Sequence, residues 1–144
     1  MSPVSLVLNV LWIVFGGVWM AAGWLIAAVI MAITIIGLPW ARAALTIAVY
    51  TFLPFGHTVV DRQGSPVGET LGFIGNIVWL VLAGWWLALG HLITAFFLAI
   101  TIIGLPFAWA HLKLAGISLW PVGKEIVSTE EAHRMSWAER GQLR

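Results

Sequence analysis

The chain has 144 residues, of which 61% are hydrophobic and only 9% charged. An average soluble domain carries about 25% charged residues, and so short a chain has no interior large enough to hide this much apolar surface, so the sequence is that of an integral membrane protein. A net charge of +1 excludes a global attraction to nucleic acid, and the absence of cysteine excludes disulfides and cysteine-ligated metals.

The stretch ITIIGLP occurs twice, at residues 33–39 and 100–106. A shift of 67 residues aligns 9–60 with 76–127 without a gap, and about half the positions are identical. Asn9 falls on Asn76, Trp12 on Trp79, Gly17 on Gly84 and Gly23 on Gly90, so polar, aromatic and glycine positions keep register together. The chain is an internal duplication. Because 9–28 recurs inside the chain, the first apolar run is read as architecture rather than as a cleaved leader.

Residues 4–41 contain no charged side chain. They exceed the length of one span of about 20 residues, so a tight helical hairpin is expected, with arms of about 17 residues. Gly23, among Trp19 and Trp24, is the expected turn. The returning arm ends at Gly37–Pro39, where proline removes a backbone donor and glycine permits a bend. Pro39 also suits the first turn of a new helix, expected over 39–53. Arg42, Thr46 and Tyr50 would share one face of it, which places it at the membrane interface. The alternative is a third short span with Arg42 snorkelling from its end.

Residues 54–70 read as a loop rich in proline, glycine and charge. The second copy repeats the pattern: an arm over 71–88, a turn near Gly90 and His91, an arm to 103, a bend at Gly104–Pro106, then a segment over 107–120 with His111 and Lys113. The tail is expected to be a solvated helix opened by a Ser128–Glu131 capping box. The domains are therefore 1–60, a connector 61–70, a second repeat 71–127 and a charged tail 128–144.

The basic residues are Arg42, Arg62, Lys113, Lys124, Arg134, Arg140 and Arg144, and each lies after an ITIIGLP bend. Basic residues mark the cytoplasmic side. Both termini, both bends and the connector are expected there, which makes the two repeats parallel.

No acidic residue lies in an apolar stretch, which removes the usual carboxylate of a coupled transporter. The four histidines lack metal-ligand spacing with one another, and no nucleophile motif or phosphate loop is visible. Neither catalytic residue, metal nor cofactor is expected. Asn9 and Asn76 are the amides of the spans; they are read as interhelical hydrogen bonds or as a polar ring lining a pore. Gly37, Pro39, Gly104 and Pro106 form the bends. Arg42, Lys113 and Lys124 follow them and are candidates for contact with anionic lipid.

The matching elements Asn9–Trp12, Asn76–Trp79, Gly84-Trp85-Trp86-Leu87, Ile102-Ile103-Gly104-Leu105-Pro106 and Leu119-Trp120-Pro121-Val122-Gly123 resemble the YccF family, the inner-membrane component domain. The resemblance spans about residues 5–128 and implies a small multi-pass protein of the bacterial inner membrane with two copies of the domain. It transfers no catalytic or transport residue. Leu53 stands where the second copy has Trp120, and His57 where it has Lys124, so a basic site is expected mainly on the second copy.

The reading is an all-α membrane protein of two parallel repeats, each a transmembrane hairpin, a Gly-Leu-Pro bend and a short interfacial helix. Its expected role is a structural or accessory component of a membrane assembly. The alternative is an oligomeric passive channel lined by Asn9 and Asn76. The expected partners are the bilayer, with anionic lipids among them, and a second copy of the chain or another inner-membrane protein; nucleic acid is not expected.

Overall fold

The computed structural model describes residues 2–62 and 64–142. Arg144, one of the basic residues above, lies outside them. Helix α1 (Pro3–Trp12) opens at a Ser-Pro pair, with the Ser2 hydroxyl capping Ser5. A widened turn at Ile13–Gly17 leads into α2 (Val18–Ile33). After a short link come α3 (Leu38–Phe52) and strand β1 (His57–Asp61). The second copy gives α4 (Pro66–Trp79), a widened turn at Leu80–Gly84, α5 (Trp85–Ala99), α6 (Leu105–Leu119) and β2 (Lys124–Ser128). Helix α7 (Thr129–Gln142) follows and packs against both strands. The Ser128 hydroxyl caps Glu131 at 3.1 Å, as the tail motif predicts.

Among the described residues, two helical runs, Pro3–Ile33 of 31 residues and Pro66–Ala99 of 34, are long and apolar enough to cross a membrane. The first is bent where Gly16 takes φ 119°. Its equivalent is Ala83, and the second copy carries no such break. Only glycine adopts that dihedral without strain.

The hairpin turns do not lie at Gly23 and Gly90, as the sequence reading expected. Both glycines sit inside helices, α2 and α5. The chain reverses instead at the ITIIGLP stretches, so the hairpin arms are α2 with α3 and α5 with α6. The physical reason is a local hydrogen-bond cycle. Thr34 Oγ1 donates to Met31 O at 2.8 Å and accepts from Gly37 N at 3.2 Å, and Thr101 repeats this with Leu98 and Gly104 at 2.9 and 3.0 Å. A Cβ on Gly37 would fall 2.6 Å from Met31 O, so the closed turn requires glycine. Pro39 and Pro106 enter the first turns of α3 and α6, where their missing N–H costs nothing.

Gly23 and Gly90 serve the contact between the copies. A Cβ on Gly23 would meet the Leu87 side chain at 3.3 Å, and one on Gly90 would meet Met20 at 3.4 Å. A Cβ on Gly16 would meet Thr94 at 3.8 Å. As the position in the first run rises from 16 to 23, its neighbour falls from 94 to 87, so α2 and α5 run antiparallel through their crossing. Met20 and Leu87 are themselves equivalents, which gives the contact a pseudo-twofold axis.

The same axis passes through a small sheet, where the sequence predicts a loop over 54–70 and no strand over 124–128. β1 and β2 pair antiparallel, with Val59 opposite Ile126, its own equivalent. The ladder is extended at both ends by equivalent bonds, Arg62 N to Gly123 O at 2.8 Å and Thr129 N to Gly56 O at 3.1 Å. Gly56 and Gly123 hold φ of 95° and 91°. Each closes a turn from the preceding proline, Pro54 or Pro121, which explains the recurring Pro-x-Gly spacing. The strands are five residues each and their partners come from different copies, so neither shows a local hairpin signal.

Two apolar clusters fill the interior. Trp24, Ala27, Ala28 and Met31 of α2 pack with Ala44, Ile47 and Ala48 of α3, and with Trp79, Ala83 and Leu87 of the second copy. Trp12, Tyr50, Phe107 and Leu114 form the other, beneath the sheet residues Val59 and Ile126. The outer helix faces and the bends are apolar and exposed: Ile35 is 79% and Ile102 87% accessible. Such a continuous apolar exterior is a lipid-facing surface.

Candidate functional site

The polar side chains of the apolar runs converge on the ends of α3 and α6 and on the contact between copies. Asn9 Nδ2 donates to Phe55 O at 3.0 Å while its Oδ1 accepts from Phe55 N at 2.9 Å. Asn76 makes the same pair of bonds to Val122, at 3.0 and 2.9 Å. Each amide therefore clamps the central residue of the Pro-x-Gly turn in its own copy, close to where the strand begins. Three residues on, Trp12 Nε1 donates to Thr51 O at 2.8 Å and Trp79 Nε1 to Ser118 O at 2.7 Å. These are carbonyls in the last turns of α3 and α6, which lack intrahelical donors. The indoles lie so close over Gly17 and Gly84 that a Cβ on Gly17 would sit 2.2 Å from Trp12. Asn-x-x-Trp and the later glycine thus act together: they fasten each helical run to the far end of its returning arm.

Between the copies runs a hydrogen-bonded chain that spacing did not reveal. Trp24 Nε1 donates to His91 Nε2 at 3.1 Å, and His91 Nδ1 lies 2.9 Å from His111 Nδ1. All three side chains are fully buried. The direction of the chain follows from the donors. Since His91 Nε2 accepts from the indole, the neutral ring carries its proton on Nδ1 and donates to His111. His111 then carries its proton on Nε2, which is buried without a partner among the described residues, as is Thr51 Oγ1. The Trp12 indole packs against His111 at a 31° tilt with centroids 4.4 Å apart, and Trp24 stacks on Trp79 at 5.3 Å. Two ring nitrogens 2.9 Å apart leave no room for a metal ion between them.

A signal for the pair existed in the alignment. His91 replaces Trp24 and His111 replaces Ala44, two departures from the repeat that fall where the copies face one another. Twenty residues and a chain reversal separate the two histidines, so no helical spacing joins them.

The basic residues divide. Lys113 and Lys124 line one cleft between α6 and β1, with Asp61, Trp120 and Thr58. Lys113 Nζ sits 5.7 Å from the Trp109 ring centroid, and Lys124 contacts Asp61. Arg42 is exposed near the start of α3 and is not among the residues lining this cleft.

The inner membrane component domain of the YccF family matches the chain twice, over residues 7–57 and 74–124. The chain is 38% identical over 132 residues to the inner membrane protein YccF of Escherichia coli (strain K12), a match covering 88% of this chain and 89% of that relative. The protein of the same name from Shigella flexneri matches to the same extent. No solved structure matches the chain. Two domain matches in register with the duplication, and relatives aligned over almost their whole length, lead to one conclusion: this chain belongs to the YccF family of inner membrane components.

Proposed function

We propose that the protein is a structural or accessory component of the bacterial inner membrane, and that it does not conduct ions. The observation that carries this reading is the use of the two asparagines. Each amide is buried and bonds through Nδ2 and Oδ1 to a turn of its own copy rather than facing its equivalent across the pseudo-twofold axis. A polar ring lining a pore would need the opposite arrangement.

The sheet supports an orientation for the protein in the membrane. It lies on the pseudo-twofold axis and carries Asp61, Arg62, Lys124 and Glu125. Were that axis in the plane of the membrane, as in an inverted repeat, the sheet would sit at mid-depth. Charges there cost about 2.5–3.5 kcal/mol each. The axis therefore runs along the membrane normal, and both copies insert in the same direction. The distribution of lysine and arginine supports a cytoplasmic sheet, connector, tail and termini; the bends, apolar and at the far ends of the hairpins from the sheet, then lie away from that side, contrary to the expectation from sequence.

Purified protein in liposomes tests the function. No flux of potassium or chloride above that of empty vesicles is expected. Flux that disappears in an Asn9→Ala, Asn76→Ala variant would restore the channel reading.

A further inference from the structure

The cleft holding Lys113 and Lys124 has a twin. A second cleft, lined by Thr46, Val49, Tyr50, Leu53, His57 and Ile126, occupies the equivalent place in the first copy. The two have volumes of about 440 and 450 Å³. Position by position, Thr46 stands for Lys113, Val49 for Gly116, Leu53 for Trp120 and His57 for Lys124. The duplication has kept the shape and changed the chemistry.

We propose that the second-copy cleft is a binding site for the phosphate-bearing headgroup of an anionic phospholipid, and that its twin has lost that capacity. The proposal rests on the membrane reading given above. Two ammonium groups in one cleft provide charge for a phosphate diester. Gly116 leaves open the space that Val49 fills in the twin, since a Cβ built on it meets nothing within 4 Å. Exposed Trp109 and Trp120 flank the lysines, and indoles are favoured at headgroup level. The indole in the cleft also sets the source of the phosphate: a free ion gains nothing from Trp120, whereas a lipid lays its glycerol and first methylenes against it. Asp61 competes by pairing with Lys124, and with a side chain 83% accessible it is free to swing away.

Native mass spectrometry of the full chain with phosphatidylglycerol tests the site, with phosphatidylcholine and inorganic phosphate as the other two probes. The parent should retain one phosphatidylglycerol in preference to phosphatidylcholine. Lys113→Gln with Lys124→Gln should reduce that retention about thirtyfold. Asp61→Asn should increase it, and Thr46→Lys, Val49→Gly, Leu53→Trp and His57→Lys together should add a second retained lipid. Equal occupancy in parent and double glutamine variant, or inorganic phosphate displacing the lipid at millimolar concentration, would overturn the proposal. Liposome flux is independent of these readouts, so failure of this site and failure of the structural reading are told apart.

Discussion

Trp24 donates its indole N–H to His91, the residue that occupies its own position in the other copy, across 3.1 Å of buried interface. The pseudo-twofold axis thus runs through an unlike pair. Two tryptophans there would offer two donors and no acceptor, while a histidine accepts from the indole and passes its own proton on to His111. The asymmetry at this point supplies a hydrogen bond that a symmetric pair lacks.

Breaking the chain leaves buried groups unpaired. Trp24→Phe strands the His91 acceptor, and His91→Phe strands both the indole donor and His111. Each should destabilise the detergent-solubilised protein by about 1–3 kcal/mol, and the double variant by less than the sum. Thermal unfolding across the double-mutant cycle reads the coupling. Additive losses would mean the bond contributes nothing.

Thr51 offers the opposite test. Its hydroxyl is fully buried with no partner among the described residues, although its backbone carbonyl accepts from Trp12. Thr51→Val keeps the volume and removes the stranded hydroxyl, so unfolding temperature should hold or rise. A loss of more than about 1 kcal/mol would show that the hydroxyl is bonded in the membrane.

The bends predict a ranking. Gly104→Ala would place a Cβ 2.2 Å from Leu98 O, so the turn must open, at about 1–3 kcal/mol. Pro106→Ala, at the first turn of α6, should be far milder. If alanine at 106 proves the more damaging of the two, proline rather than glycine holds the reversal.

At the crossing of α2 and α5 the neighbours are the tips of flexible side chains. Gly23→Ala should therefore be tolerated, whereas Gly23→Leu should force the copies apart and cost about 1–3 kcal/mol by overpacking. A leucine at 23 without effect would remove Gly23 from the interface.

Much of this architecture was legible in the sequence. The duplication, the membrane as solvent and the redirection at Gly37 and Gly104 follow from composition and from one recurring heptapeptide. Two things did not follow. Gly23 looked like a turn because a glycine among tryptophans is the cheapest place to reverse a membrane helix, yet the same absence of a Cβ also serves close packing, and only the tertiary contact with Leu87 decides between them. The sheet was hidden because His57–Asp61 and Lys124–Ser128 find their partners in the other copy, beyond any local pattern. In the candidate site, Asn9 and Asn76 were visible as the amides of apolar runs, whereas the His91–His111 pair required knowing that the chain reverses between them.

The central claim is that both copies enter the membrane from the same side, with the sheet on the pseudo-twofold axis left in the cytoplasm. Single cysteines at Ser65→Cys, in the connector, and Glu125→Cys, on β2, test it most directly with a membrane-impermeant thiol reagent applied to spheroplasts. Neither should react until the membrane is opened, when both should react. Labelling of either one from the periplasmic side of intact membranes would contradict the account.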